Sequence, residues 1–357
     1  SRLSIFESVL IYLGCMSLFL AIVNGVPTAT SSQLFLGYIG ALMTWTFLND
    51  GVPQRLIAIF FICLLFVHGI FSFSQALVIF PYPEHFNFAI SELGGEELIS
   101  RSATRRYGLL TAPGYLCCYS SLCVGLTSIY WVKQGGWMWL VAFGASLSIG
   151  ILSGNRIFLV VIAMFPIVAY LTCRQRDNCA RRVLALLAAV IGTSIMIFFF
   201  NQEVVTYNFI TRFEDGVISN DLADRAINNV GITPTIKAFI DAPLFGAFRS
   251  GPNGGWAVQG ERELIWPHNS IAYILGTRGL VIAVPFGALI FCAAGIVKKN
   301  WLLRNHARQY ESLLCDTAPF IGALVLGLIP TITDPLIEFP PLLICLTVVL
   351  WSRTDHS

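Results

Sequence analysis

One histidine and a set of arginines carry the chemistry legible in this chain. His268 stands in Trp266-Pro267-His268-Asn269, after the Gly-rich loop Gly246-Ala-Phe-Arg-Ser-Gly-Pro-Asn-Gly-Gly255 and directly before an apolar helix. An imidazole, with a reference pKa of about 6.5, is the side chain best suited to take a proton from a hydroxyl at neutral pH. Pro267 fixes the approach of the chain, and the helix that follows carries Arg278-Gly279.

The arginines suit a different task. Arg156 closes Leu152-Ser-Gly-Asn-Arg156, a polar break between two apolar runs. Ser153-Gly154 is expected to interrupt the helix and bare backbone N–H groups beside the guanidinium, a combination that binds anions. The competing reading is an arginine that snorkels to lipid phosphates. Arg225 follows Asp221 and Asp224 on the first turn of a helix, where a surface ion pair and a phosphate-binding role stand level. Arg249 lies inside the Gly-rich loop, whose glycines let backbone approach a ligand closely. Arg101, Arg105 and Arg106 fit a substrate clamp and a headgroup-binding stripe equally well.

Other candidates have plainer readings. His68 lies within an apolar run, where a neutral histidine bonded between helices is the simpler expectation. Asp334 and Glu338 close Pro330-Thr-Ile-Thr-Asp-Pro-Leu-Ile-Glu338, where they orient an arginine, bind acceptor hydroxyls, or sit in a plain turn. Asp316 is expected to pair with a basic residue. Apart from it and His68, the charges are expected at the faces of the molecule. No Asp-x-Asp, Walker A, dinucleotide fingerprint or His-Glu-x-x-His motif occurs, so a metal or nucleotide cofactor has no support.

The elements that must hold these residues are membrane helices. The 357 residues are 56% hydrophobic and 12% charged, with mean hydropathy +0.73, far from the roughly 25% charge of soluble domains. Ten apolar runs are expected to span a bilayer: about 5–24, 33–48, 55–78, 109–131, 137–152, 157–173, 183–200, 270–297, 313–331 and 336–351. Because the first residue is Ser1, further N-terminal helices are expected before them, giving up to twelve.

Arg2, Arg55, Lys133, Arg174, Arg176, Arg181, Arg182, Lys298, Lys299, Arg304, Arg308 and Arg353 then share one face, cytoplasmic by the positive-inside rule. Trp131, Trp137, Trp139, Trp301 and Trp351 are expected as an aromatic belt there. The opposite face carries ten basic residues, nine of them Arg, against fourteen acidic ones. Those basic residues are nearly all of the planar, bidentate kind that suits phosphate.

Two external loops are long, 81–108 and 201–269, and the second reads as a helical cap. Thr233-Pro234 opens a helix that Pro243 ends. The expectation is an all-α polytopic bundle, one membrane domain over 1–357. The ten cysteines avoid both long loops, so they read as small apolar packing residues.

The order of these landmarks resembles the O-antigen ligase and O-antigen polymerase superfamily, bacterial inner-membrane glycosyltransferases of the GT-C type. The resemblance covers about residues 100–300. It rests on Ser153-Gly-Asn-Arg156 ahead of a span, Arg225 followed by Asp241-Ala-Pro-Leu-Phe-Gly246, and His268-Asn269-Ser270 with Gly279 beyond. It implies that Arg156 and Arg225 bind the pyrophosphate of an undecaprenyl-linked glycan donor and that His268 serves the acceptor hydroxyl. Arg249, Asn269, Arg101, Arg105, Arg106 and Arg278 would complete the substrate-binding set. The ligase form of the histidine motif asks for Gly, Thr or Tyr where Ile282 stands, which favours the polymerase. The implied partners are the lipid-linked donor, a glycan or lipid A-core acceptor, membrane lipid and a chain-length regulator, with no metal, cofactor or nucleic acid.

Overall fold

In a computed structural model of the chain, residues 4–23, 28–76, 113–173, 178–200, 239–250, 256–258, 270–302, 311–332, 336 and 338–352 are described. Helices dominate them, as the apolar runs require. Four are long and apolar enough to cross a membrane: the segments Gln54–Phe73, Gly114–Gln134, Cys179–Phe199 and Leu280–Lys299. Shorter apolar helices include Ile5–Leu20, Trp137–Leu152, Ile157–Cys173 and Pro340–Trp351. The chain divides into two compact units, one formed by 1–54, 219–317 and 331–357, the other by 55–218 and 318–330.

The second unit is built around one helix. Helices α3 (Gln54–Ala76), α4 (Pro113–Gln134), α5 (Trp137–Leu152), α6 (Ile157–Cys173) and α7 (Cys179–Phe200) follow one another in the chain. The spanning part of α4 is 89% buried, whereas that of α7 is 22% buried, so α4 is the centre and α7 faces outward. A central helix with many serines and threonines is stable in apolar surroundings because their hydroxyls bond back along the helix. Ser121 donates to the Cys117 carbonyl at 2.7 Å and Thr127 to that of Cys123 at 2.6 Å. Gly125 admits the backbone at Gly322, the close approach that small residues permit between membrane helices. Arg182 Nη1 donates to the Val132 carbonyl at 2.7 Å and so closes the last turn of α4. Trp139, expected in the interfacial belt, is buried and its ring stacks on Tyr130 of α4 at 4.2 Å.

The first unit holds α1 (Ile5–Val23), α2 (Thr28–Asn49), β1 (Phe248–Ser250), β2 (Trp256–Val258), α8 (Ser270–Arg278), α9 (Leu280–Leu302) and α11 (Pro340–Trp351). Helix α10 (Glu311–Leu328) crosses from this unit to the other. Ser4 and Glu7 form a reciprocal capping box at the start of α1, with Ser4 N–H donating to Glu7 Oε2 at 2.6 Å. Helices α1 and α2 are antiparallel, since Phe6 meets Trp45 and Gly14 meets Tyr38. Helices α2 and α11 run in the same direction. Gly37 faces Pro340 at the beginning of α11, and Trp351 Nε1 at its end donates to Asn49 Oδ1 at 2.9 Å.

Two expected spans change form. The run 270–297 is a short helix and a long one, divided at Gly279, whose φ is +64°. Its N–H caps α8 by bonding to the carbonyls of Ile274 and Leu275. The run 336–351 becomes helical only at Pro340, since Pro340 and Pro341 start a helix well. Leu336, Glu338 and Phe339 lie buried ahead of it. The Gly-rich loop also contains more order than expected: Phe248, Arg249 and Ser250 pair antiparallel with Val258, Ala257 and Trp256.

The nine described cysteines are free and six of them are buried, in keeping with their reading as packing residues.

Candidate functional site

The most concentrated polar chemistry among the described residues lies inside the first unit, where α1, α2 and α8 meet the turn before α11. Arg278 and Glu338 are 1% and 3% exposed, and Arg278 Nη2 lies 3.6 Å from Glu338 Oε2. Of the alternatives open to Glu338, orienting an arginine is the one realised. Ser17 Oγ donates to Glu338 Oε1 at 3.0 Å, and Tyr38 OH donates to the same oxygen at 2.9 Å. Arg278 Nη1 donates to the Ser17 carbonyl, and Nη2 to Tyr273 OH at 3.4 Å. The guanidinium also lies over the Tyr273 ring, 6.0 Å from its centroid.

The sequence explains how Arg278 reaches inward. Side chains on a helix slant towards its N-terminus, so Arg278 folds back over the turn that carries Tyr273. Among the described residues, Arg278 Nε and Glu338 Oε2 have no hydrogen-bond partner. The pair is thus held by charge as much as by hydrogen bonds, and removing either partner strands the other in a low-dielectric core.

Its depth corrects the expectation that charges stay at the faces. Helix α11 has 12 residues, about 18 Å at a rise of 1.5 Å per residue. An apolar layer is about 30 Å thick. Counting from the Asn49–Trp351 end, the buried pair therefore lies about one helix length in, a distance shorter than that thickness. Ser17 and Tyr38, flanked by apolar residues on both helices, place it at the same level.

A second junction locks the end of α8. The helix described at 239–241 stops before Pro243, as proline requires. Carbonyls of the following turn accept from the start of α9: Leu280 N–H donates to the Pro243 carbonyl at 2.9 Å and Val281 N–H to that of Leu244 at 3.2 Å. These bonds satisfy helix N-terminal donors that would otherwise be unpaired. The backbones meet so closely that a side chain fits on neither. A Cβ at Gly246, φ +75°, would stand 2.5 Å from the Gly276 carbonyl oxygen, and one at Gly279 would stand 2.6 Å from Phe245 N. Two landmarks of the sequence, Asp241 to Gly246 and Arg278-Gly279, are halves of one interlock.

Arg156 belongs to the other unit, at the tight turn between α5 and α6, and is partly exposed. The N–H groups expected to be bare there are engaged. Asn155 N–H bonds to Ser153 Oγ at 3.4 Å, Ile157 N–H to Asn155 Oδ1 at 3.3 Å, and Gly154 N–H to the Ile151 carbonyl at 3.0 Å. Asn155 acts as the N-cap of α6, so anion binding at this turn would fall to the guanidinium itself. His68 is buried with its ring edge towards Tyr119, 5.2 Å between centroids, as an internal histidine was expected to be.

Arg249 is on β1 opposite Ala257, and only its backbone is described. Arg101, Arg105, Arg106, Arg225, His268 and Asn269 lie outside the described residues, as do Asp334, Asp316's side chain and the whole of 81–108. No group of three or more metal-ligating side chains occurs among the described residues.

Sequence reasoning missed Ser17 and Tyr38, which look like ordinary residues of apolar helices. The signal for the pair was an arginine and a glutamate each embedded among apolar neighbours. The chain matches no protein-family model and no curated protein sequence.

Proposed function

We propose that this chain is a bacterial inner-membrane glycosyltransferase that uses an undecaprenyl-pyrophosphate-linked glycan on the periplasmic side and extends surface polysaccharide as an O-antigen polymerase. The observation that carries this reading is the seating of α8. The short helix that begins two residues after His268 is held at both of its buried ends, through Ser270 and Arg278, which supports a fixed element next to the histidine in sequence. In this reading ten to twelve spans surround the site, and 201–269 caps it.

The reaction needs two electrostatic services. The oxygen of an acceptor hydroxyl attacks the anomeric carbon of the donor sugar and forms the new glycosidic bond. The bond from that carbon to the pyrophosphate oxygen breaks, and its electron pair leaves with undecaprenyl pyrophosphate. His268 takes the hydroxyl proton. Arg156 and Arg225, aided by Arg249, hold the departing charge through bidentate contacts without a metal. Arg101, Arg105, Arg106 and Asn269 bind the sugar-phosphate portion, and attack opposite the leaving group inverts the configuration. Burial moves Arg278 from the substrate-binding set to a supporting role.

The O-antigen ligase reading differs only in its acceptor, lipid A-core in place of a growing glycan. A deletion strain separates the two: surface glycan of a single repeat marks the polymerase, and accumulated lipid-linked polymer with no surface glycan marks the ligase. A lipid or polysaccharide transporter is the second class. It is favoured by one observation, a broken helix with a buried ion pair at the break. Purified protein that consumes undecaprenyl-pyrophosphate-linked glycan in the presence of EDTA supports the transferase. Normal glycan assembly by a membrane-inserted His268→Ala variant sinks it.

A further inference from the structure

We infer that the second unit carries a site for an anionic phospholipid, with one acyl chain in a groove between α5 and α7 and the headgroup phosphate against Lys133, Arg181 and Arg182; the inference is independent of the glycosyltransferase reading. The groove has a volume of about 510 Å³, within the roughly 300–1,000 Å³ of ligand clefts. Helix α5 lines it with Val141, Gly144 and Ser148, and α7 with Ala189, Gly192 and Thr193. Residues at these three- and four-residue spacings form one face of each helix. Small residues hollow the groove, since the space beside Gly144 and Gly192 is open. Its wall suits hydrocarbon, because Ser148 Oγ donates back to the Gly144 carbonyl at 3.0 Å.

Followed towards the start of each helix, the two faces lead to a polar end. On α5 the same face begins with Trp137, which is 79% exposed, and an exposed indole suits the headgroup level of a bilayer. On α7 the same face carries Arg182 two turns before Ala189, about 10 Å along the axis. The bond from Arg182 to the Val132 carbonyl holds the start of α7 beside the end of α4, next to Lys133. Arg181 is exposed. No Asp or Glu occurs among the described residues of this unit, so none of them neutralises the three cations. Charge complementarity selects the occupant. A headgroup with net negative charge gains about fivefold in binding per cation, whereas a zwitterionic one brings its own ammonium. A second copy of this chain would enter the membrane in the same orientation, and a symmetric contact through this face would set like charges together.

The test releases the full chain from nanodiscs of equal phosphatidylglycerol and phosphatidylethanolamine into a mass spectrometer and weighs the lipid it retains. The expected result is one bound phosphatidylglycerol, favoured over phosphatidylethanolamine by about tenfold or more. The double variant Gly144→Leu/Gly192→Leu fills the groove and leaves the cations in place; retention of phosphatidylglycerol is expected to fall about tenfold. Lys133→Gln/Arg181→Gln keeps Arg182 on the Val132 carbonyl and is expected to bring the preference between the two lipids close to one. Arg181→Gln alone changes an exposed side chain and is expected to cut the preference about fivefold, which keeps the test decisive if either double variant does not fold. Equal retention of both lipids by the parent overturns the headgroup assignment. Unchanged retention in Gly144→Leu/Gly192→Leu overturns the groove. A parent that leaves the nanodisc as a dimer, and becomes a monomer in that variant, gives the face to a second copy and overturns the inference.

Discussion

Glu338 and Arg278 neutralise each other inside a hydrocarbon-like core, 3.6 Å apart, with α9 and α10 between them in the chain. A pair of this kind is weak evidence of stability, because desolvation of both ions offsets much of their attraction. It is strong evidence of constraint, since neither partner tolerates the loss of the other.

That asymmetry gives the first prediction. Glu338→Ala is expected to destabilise the protein by about 3–5 kcal/mol, because it leaves Arg278 buried and uncompensated. The double variant Arg278→Met/Glu338→Met is expected to lie within about 1–2 kcal/mol of the parent. Thermal unfolding in detergent, followed by size-exclusion chromatography, measures both. Equal losses in the single and double variants would show that packing, and not charge, dominates the site.

Gly246 and Gly279 define the second. Alanine at either meets backbone atoms and a positive φ, each of which costs on the order of 1–3 kcal/mol. Gly144 and Gly192 have open space where a Cβ would go, so alanine there is expected to be neutral or to stabilise by about 0.5–1 kcal/mol through helix propensity. Melting temperatures of the four variants give the comparison, and a destabilised Gly192→Ala would contradict the packing described.

At the turn between α5 and α6 the cap and the charge are separable. Asn155→Ala is expected to cost about 1 kcal/mol of stability, the usual value of an N-cap. Arg156→Lys is expected to keep stability and lose at least tenfold in glycan transfer, since a point charge does not replace a bidentate fork. Full transfer by Arg156→Lys would argue for an arginine that only snorkels to lipid headgroups.

Inside the second unit, Gly125→Leu is expected to force α4 and α10 apart and prevent accumulation of folded protein, because a Cβ there already meets the Gly322 backbone. Membrane-fraction yield and detergent-solution monodispersity read this out. A monodisperse Gly125→Leu protein would mean that the two helices separate without cost.

Hydropathy made the long helices legible, because a run such as Gln54–Phe73 has one stable form in an apolar layer. The break at Gly279 was not legible. Gly276-Thr-Arg-Gly279 interrupts the apolar pattern only briefly, and the contact that meets the break, from Leu244 and Phe245, arrives from elsewhere in the chain. For Trp139 the sequence carried only the interfacial tendency of the residue type, and nothing in it announced the stacked partner that Tyr130 gives its ring. Glu338 was legible only as a carboxylate with three open roles, orienting an arginine among them, and its hydroxyl donors Ser17 and Tyr38 carried no signal. Asn155 was read as part of a polar break, and only the fold reveals that its side-chain oxygen accepts from an N–H that the break exposes.

The shared direction of α2 and α11 limits how the whole chain is threaded. Asn49 and Trp351 are bonded at one end of their unit, so the chain leaves both helices into the same compartment. In a bilayer-spanning arrangement the number of crossings between those two residues is then even, whichever apolar segments do the crossing. A reporter inserted at Gly51 and another fused after Ser352 should therefore read the same side, a parity rule that rests on one indole hydrogen bond and owes nothing to a hydropathy threshold.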